Sequence, residues 1–140
     1  MIYEANIYHN LKLKPRFGVL FMSDSYNLGR LGEKLAAGYL SHRGYEIIAT
    51  NKQLGHKEID IIAKKDDLFI VFEVKTARSD SSVKPEEQLN TLKIKRLKKA
   101  SMLYCFEKKI SLDKLRVDLL AISLNYEQKM ANIKHFKNIF

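Results

Sequence analysis

Apolar residues recur along this chain at two distinct periods, and the change from one to the other marks out its elements. Across residues 28–42, Leu28, Leu31, Leu35, Ala36, Tyr39 and Leu40 fall at helical spacing, with Gly44 as a fitting stop. Three short apolar and β-branched runs follow at residues 45–50, 59–63 and 68–74, the last two separated by the turn Lys64-Lys65-Asp66-Asp67. They predict three successive strands joined as antiparallel hairpins. Residues 79–85 are polar and predict a loop. Pro85-Glu86-Glu87 then has the make-up of a first helical turn, with proline and acids where the helix dipole favours them, and the second helix is expected to run to about Glu107. Residues 115–124 predict a fourth strand and residues 130–136 a short fifth, so the expected order is α-β-β-β-α-β-β. Residues 1–26 carry no sustained period and read as a poorly ordered extension ahead of a domain at residues 27–140. Met22 offers an alternative start, which makes residues 1–21 dispensable in expectation. No repeat, low-complexity tract or linker interrupts the chain.

With 140 residues, 46% hydrophobic and 29% charged, the chain has the composition of one folded domain. Its single cysteine, Cys105, cannot build a disulfide within the chain, which suits a reducing cytoplasm. No apolar run approaches the roughly 20 residues that span a bilayer, so no membrane partner is expected. Charge changes the picture more. The net charge of +9 favours polyanionic partners, and residues 84–116 hold ten basic side chains against four acidic ones. Residues 28–83 hold nine basic and eight acidic groups, so carboxylates and surplus cations occupy different parts of the chain. A metal-dependent nuclease needs that separation.

Alternation along a strand places Glu58 and Asp60 on one face, with Ile59 and Ile61 on the other, and puts Glu73 and Lys75 together on a face of the next strand. The hairpin between those strands brings Asp60 toward Glu73, with Lys75 beside them. Hard oxygen ligands of this kind suit Mg²⁺ or Mn²⁺, which share phosphate oxygens with a substrate and lower the pKa of a bound water. Charged groups near strand ends are ordinarily solvated, but Glu73 and Lys75 interrupt or follow an apolar run where burial is costly without a ligand or partner. Glu33, after Gly32 in the first turns of helix one, is either an acid placed by the helix dipole or a ligand. On helix two, Leu89, Leu92, Leu97, Ala100, Leu103 and Tyr104 form an apolar arc that contains Lys93 and Arg96, while Lys95, Lys98 and Lys99 point away. Lys93 is thus expected to face the sheet, either snorkelling to an edge or reaching the acidic site. Other chemistries find little support: no phosphate-binding glycine loop, no HExxH and no cysteine pairs occur. The four histidines are scattered, His56 near Glu58 being a minor candidate, and Cys105 reads as packing.

The strings NLGRLGEKLAAGYLSHRGYEIIATN and KEIDIIAKKDDLFIVFEVKTARS closely resemble the YraN family of small bacterial proteins. KIKRLKKASMLY resembles that family's lysine-headed second helix, LRVDLLAI its late strand with Arg-x-Asp, and IKHFKNIF its aromatic C-terminus, so the likeness covers residues 27–140. Two departures, Lys52-Gln53 after the strand-one Asn and Val117 before the late Asp, lie away from the candidate site. The family is similar in its core to PD-(D/E)XK nucleases, particularly archaeal-type Holliday junction resolvases. That likeness implies a restriction-endonuclease-like mixed sheet flanked by helices. It implies catalytic roles for Glu33, Asp60, Glu73 and Lys75, with Asp60, Glu73 and Glu33 as ligands of Mg²⁺ or Mn²⁺. Lys93 matches the family's helix-two lysine, and Lys95, Arg96, Lys98 and Lys99 join it as the nucleic-acid-binding set. The implied substrate is branched or single-stranded-containing DNA in repair, recombination or DNA uptake. A non-catalytic nucleic-acid-binding module acting with a helicase or recombination partner is the alternative, and a homodimer is compatible with either.

Overall fold

A computed structural model of the chain describes residues 5–12 and 25–140, with side chains from residue 28 onward. It contains β1 (Ala5–Lys12), α1 (Ser25–His42), β2 (Glu46–Leu54), β3 (Lys57–Lys65), β4 (Leu68–Arg78), α2 (Thr91–Lys108), β5 (Leu115–Asn125) and β6 (Met130–Phe136). One mixed sheet has the spatial order β1-β6-β5-β4-β3-β2. β2, β3 and β4 pair as successive antiparallel hairpins, α2 carries the chain over to β5 parallel to β4, and β6 returns antiparallel. The expected order α-β-β-β-α-β-β is the body of the molecule. The extension read over residues 1–26 contains an edge strand, because Ala5–Lys12 pairs with β6 through backbone bonds that need no apolar period. Met22 lies outside the described residues.

Each face of the sheet carries its own core. Leu31, Leu35, Ala36, Tyr39 and Leu40 of α1 pack on Ile61, Phe72, Val74, Leu120 and Ile122. Ile94, Leu97, Ala100 and Tyr104 of α2 pack on Ile59, Ile62, Val71, Leu119 and Ala121 of the opposite face. β4 therefore reads as a nearly continuous buried run, as expected of a strand covered on both sides. Among the described residues no helix is long and apolar enough to cross a membrane.

Three expectations are corrected. Pro85–Gln88 is a separate 3₁₀ turn, and α2 starts afresh at Thr91, where the Asn90 side chain accepts from the Lys93 N–H at 2.9 Å as N-cap. The packed face of α2 is also rotated from the expected arc: Leu92 and Leu103 are exposed while Ile94, Ser101 and Cys105 face inward with Leu97, Ala100 and Tyr104. Ser101 is accommodated because its hydroxyl donates to the Leu97 carbonyl at 2.7 Å. Lys93 thus borders the packed face and is itself exposed. Ile59 and Ile61 do not share a face: Ile59 joins the α2 core and Ile61 the α1 core, and the β3–β4 ladder ends between them while β3 stays paired with β2.

Candidate active site

The end of the β3–β4 ladder builds the site. The β3–β4 ladder runs from Lys65↔Leu68 to Ile61↔Phe72, whereas β4 continues beside β5 to Arg78↔Leu124 and β3 continues beside β2 to Lys57↔Leu54. The two strands thus fork at Asp60 and Glu73. In the gap, Asp60 Oδ2 accepts the backbone N–H of Val74 at 2.7 Å, replacing a lost strand contact with a side-chain one. The fork is opened by a carboxylate.

Glu73 is 2% exposed. Its Oε1 accepts from Lys75 Nζ at 3.1 Å and Lys57 Nζ at 3.3 Å, while its buried Oε2 has no hydrogen-bond partner. Burial, followed by the charge of Glu73, pushes the Asp60 carboxyl up to about 7, against the lowering effect of the Val74 N–H; Glu33 adds to the rise and Lys57 opposes it. Asp60 and Glu73 therefore feel each other directly across the fork.

The surrounding space divides in two. Glu33, Asn51, Glu58 and Asp60 line a cleft on the α1 side, and Glu73, Lys75, Lys57, His56, Lys93, Arg96 and Lys99 line one on the α2 side. Glu58 and Asp60 share a face and Glu73 and Lys75 share a face, as alternation predicts. Asp60 and Glu73, however, meet at the seam between two openings and not on one surface. Glu33 reaches the α1 opening because α1 lies unusually close to β4: a Cβ on Gly32 would stand 1.8 Å from Thr76 Oγ1 and 2.9 Å from its Cβ. Asn51, at φ +50°, donates to Glu33 at 2.8 Å and to Glu58 at 3.4 Å, holding both carboxylates at that mouth.

Hard oxygens at the fork fit Mg²⁺ or Mn²⁺ chemically, and the partnerless Glu73 Oε2 and the destabilised Asp60 anion are what a cation would satisfy. Among the described residues, no three His, Cys, Asp or Glu side chains gather as a complete ligand set. Magnesium sites commonly use one or two carboxylates, with waters and substrate phosphate completing the shell.

The helix-two cations separate into two groups. Lys93, Arg96 and Lys99 line the α2-side cleft, and Lys93 Nζ also donates to the Gln88 carbonyl at 2.9 Å. Lys99, expected to point away, belongs to this group because the packed face of α2 is rotated from the expected arc. Lys95 and Lys98 lie outside the cleft lining, Lys98 over the Phe140 ring at 5.5 Å. Cys105 is fully buried, and burial pushes its thiol up, as suits a packing role.

Sequence reasoning passed over two features. Lys57 shares the Glu73 oxygen, but a lysine beside a hairpin turn has no distinguishing pattern. Asp118, fully buried on β5, accepts both Arg116 nitrogens at 2.9 and 2.8 Å, the Asn138 N–H at 2.9 Å, and lies 2.8 Å from His135 Nε2. Burial raises its pKa, but these bonds outweigh burial and hold it below the ordinary range. The Arg-x-Asp spacing was a usable signal for half of that network; His135 is 17 positions away. The network ties the C-terminal segment to β5, with the Ile139 N–H on the Val117 carbonyl at 2.9 Å.

The Uncharacterised protein family UPF0102 model matches residues 32–122, which include Glu33, both forked strands, α2 and most of β5. The UPF0102 protein of Dictyoglomus turgidum is 34% identical over 113 residues, covering 81% of this chain and 96% of that protein. That of Flavobacterium psychrophilum is 34% identical over 119 residues, covering 85% and 98%. That of Thermodesulfovibrio yellowstonii is 39% identical over 113 residues, covering 81% and 95%. The forked sheet, the carboxylates at its fork and these matches together place the chain in the UPF0102 family, a YraN-like group within the PD-(D/E)XK-like nuclease superfamily.

Proposed function

We propose that this protein is a divalent-cation-dependent endonuclease that hydrolyses phosphodiester bonds in branched or single-stranded-containing DNA. One observation carries the reading: a buried Glu73 with a partnerless oxygen faces, across the strand fork, an Asp60 whose negative charge is unfavourable there. Asp60 and Glu73 would hold Mg²⁺ or Mn²⁺, with Glu33 reaching it through the α1-side opening. When bound, such a cation would supply a water of lowered pKa and polarisation of the phosphoryl oxygens. Lys75, fixed by Glu73 at 3.1 Å, orients the attacking water and stabilises negative charge developing on the phosphate. Lys93, Arg96 and Lys99 bind neighbouring phosphates from α2.

The account is tested by cleavage of linear, flapped and four-way DNA in Mg²⁺ and in Mn²⁺. Wild type is expected to cut, and Asp60→Ala to cut at least about 100-fold more slowly, the scale of losing a principal charge-stabilising group. Equal activity in that variant would assign the cutting to a contaminant. A second reading, a nucleic-acid-binding module that works with a partner such as a helicase, is favoured by the two lysines already sharing Glu73 Oε1. Binding without cleavage in either metal would select it.

A further inference from the structure

The α2-side cleft encloses about 790 Å³, and its lining combines two chemistries. Lys93, Arg96 and Lys99 provide a row of cations, while Leu54 and Leu103 provide an apolar end. Gly55, at φ +59°, turns the β2–β3 hairpin there, and a Cβ on it would stand 3.9 Å from Leu103. Phe106, three residues beyond Leu103 on α2, is 83% exposed. Leu54 belongs to the α2-side core and forms the cleft's floor, and phosphate binding accounts for the cations, but neither explains the exposed Leu103 and Phe106. A duplex keeps its base faces stacked inside and presents phosphates and groove edges, whereas an unpaired nucleotide presents a phosphate and an open π-face together.

We propose that this cleft takes an unpaired nucleotide of a DNA strand, with its phosphates along Lys93, Arg96 and Lys99 and its base against Leu103 at the apolar end, reaching Phe106, which lies outside the cleft lining and neighbours Leu103 at i+3 on the helix surface. Glu73 and Lys75 line the same cleft, so a strand held there passes the fork. Only this last step rests on the nuclease reading; the selectivity for unpaired bases stands apart from it.

Fluorescence anisotropy of the full chain in EDTA, with a labelled oligo(dT) and a blunt duplex as probes, tests the proposal without turnover. Leu103→Ala/Phe106→Ala is expected to weaken oligo(dT) binding by about 5-fold to 100-fold, the range of losing a base-stacking contact, and duplex binding by less than about 2-fold. Phe106→Ala alone, which removes an exposed ring and leaves the core intact, should reproduce several-fold of that loss at an unchanged melting temperature. Equal loss for both probes, no loss for either, or an oligoglutamate peptide binding as tightly as oligo(dT) would overturn the proposal. Selective binding in a protein that never cleaves would sink the nuclease reading and uphold this one. Cleavage by a protein whose oligo(dT) affinity ignores the double substitution would do the reverse.

Discussion

Asp60 carries a carboxyl into a seam where burial and the Glu73 charge both favour its protonated form, and the consequence is measurable without any substrate. With its pKa raised from 3.8 to about 7, the folded state keeps a proton that the unfolded chain releases. Its contribution therefore falls as pH rises from about 4 to about 7, the opposite of a salt-bridged aspartate. Asp60→Asn retains an acceptor for the Val74 N–H and removes the titration. The melting temperature of this variant relative to wild type should rise across that window and level off above it; a constant difference would show that Asp60 does not titrate there. Alternation and the interrupted apolar run made Asp60, Glu73 and Lys75 visible as a constellation. Their partition between two openings was not visible, because alternation assumes a regular strand and β3 parts from β4 at Asp60 itself. Lys57 and the Asp118–His135 contact were hidden for a different reason: both are products of tertiary pairing between residues with no local pattern.

Among the elements, α1 depends on one glycine for its distance from the sheet. Gly32→Ala drives a methyl group into the β-branched Thr76, which has little freedom to move aside, and should cost about 1–3 kcal/mol by denaturant unfolding. It should also shift Glu33 away from the fork. Unchanged stability would mean that the close helix–strand approach is easily relaxed. The existence and order of the elements were legible because each central strand is a short apolar run bounded by turn residues. The start of α2 was not, since Pro85-Glu86-Glu87 has the chemistry of a helical first turn and forms only a 3₁₀ turn before Asn90 caps the helix. The rotation of the packed face, with Ile94, Ser101 and Cys105 inward, is a separate matter of docking that apolar periodicity did not resolve, and it places Lys99 and Leu103 in the cleft lining. Lys93→Ala/Arg96→Ala/Lys99→Ala should therefore reduce the log–log salt slope of single-strand binding by up to about 2.1, at roughly 0.7 per phosphate contact. Lys95→Ala/Lys98→Ala, outside the cleft lining, should change it less. A reversed order would place the DNA on the outer face of α2.

For the molecule as a whole, the sheet holds its carboxylates at the fork between the two helices while α2 supplies cations to one side of it. The segregation of charge along the sequence becomes a segregation in space, with Lys75 and Lys57 at the junction. In the proposed reading this arrangement would draw in a polyanion without the basic helix neutralising the fork, where Glu73 Oε2 is free of hydrogen bonds. The β1 strand extends the sheet at the edge opposite β2, with four strands between them, and takes no part in that layout. In the proposed reading one divalent cation is held in the fork by Asp60 and Glu73 together, and anomalous scattering from a crystal grown with Mn²⁺ would locate it. A single peak in contact with carboxylate oxygens of both residues, lost in Glu73→Gln, is the expected result; a peak held by Glu33 and Glu58 at the outer mouth, or none at millimolar Mn²⁺, would overturn that reading.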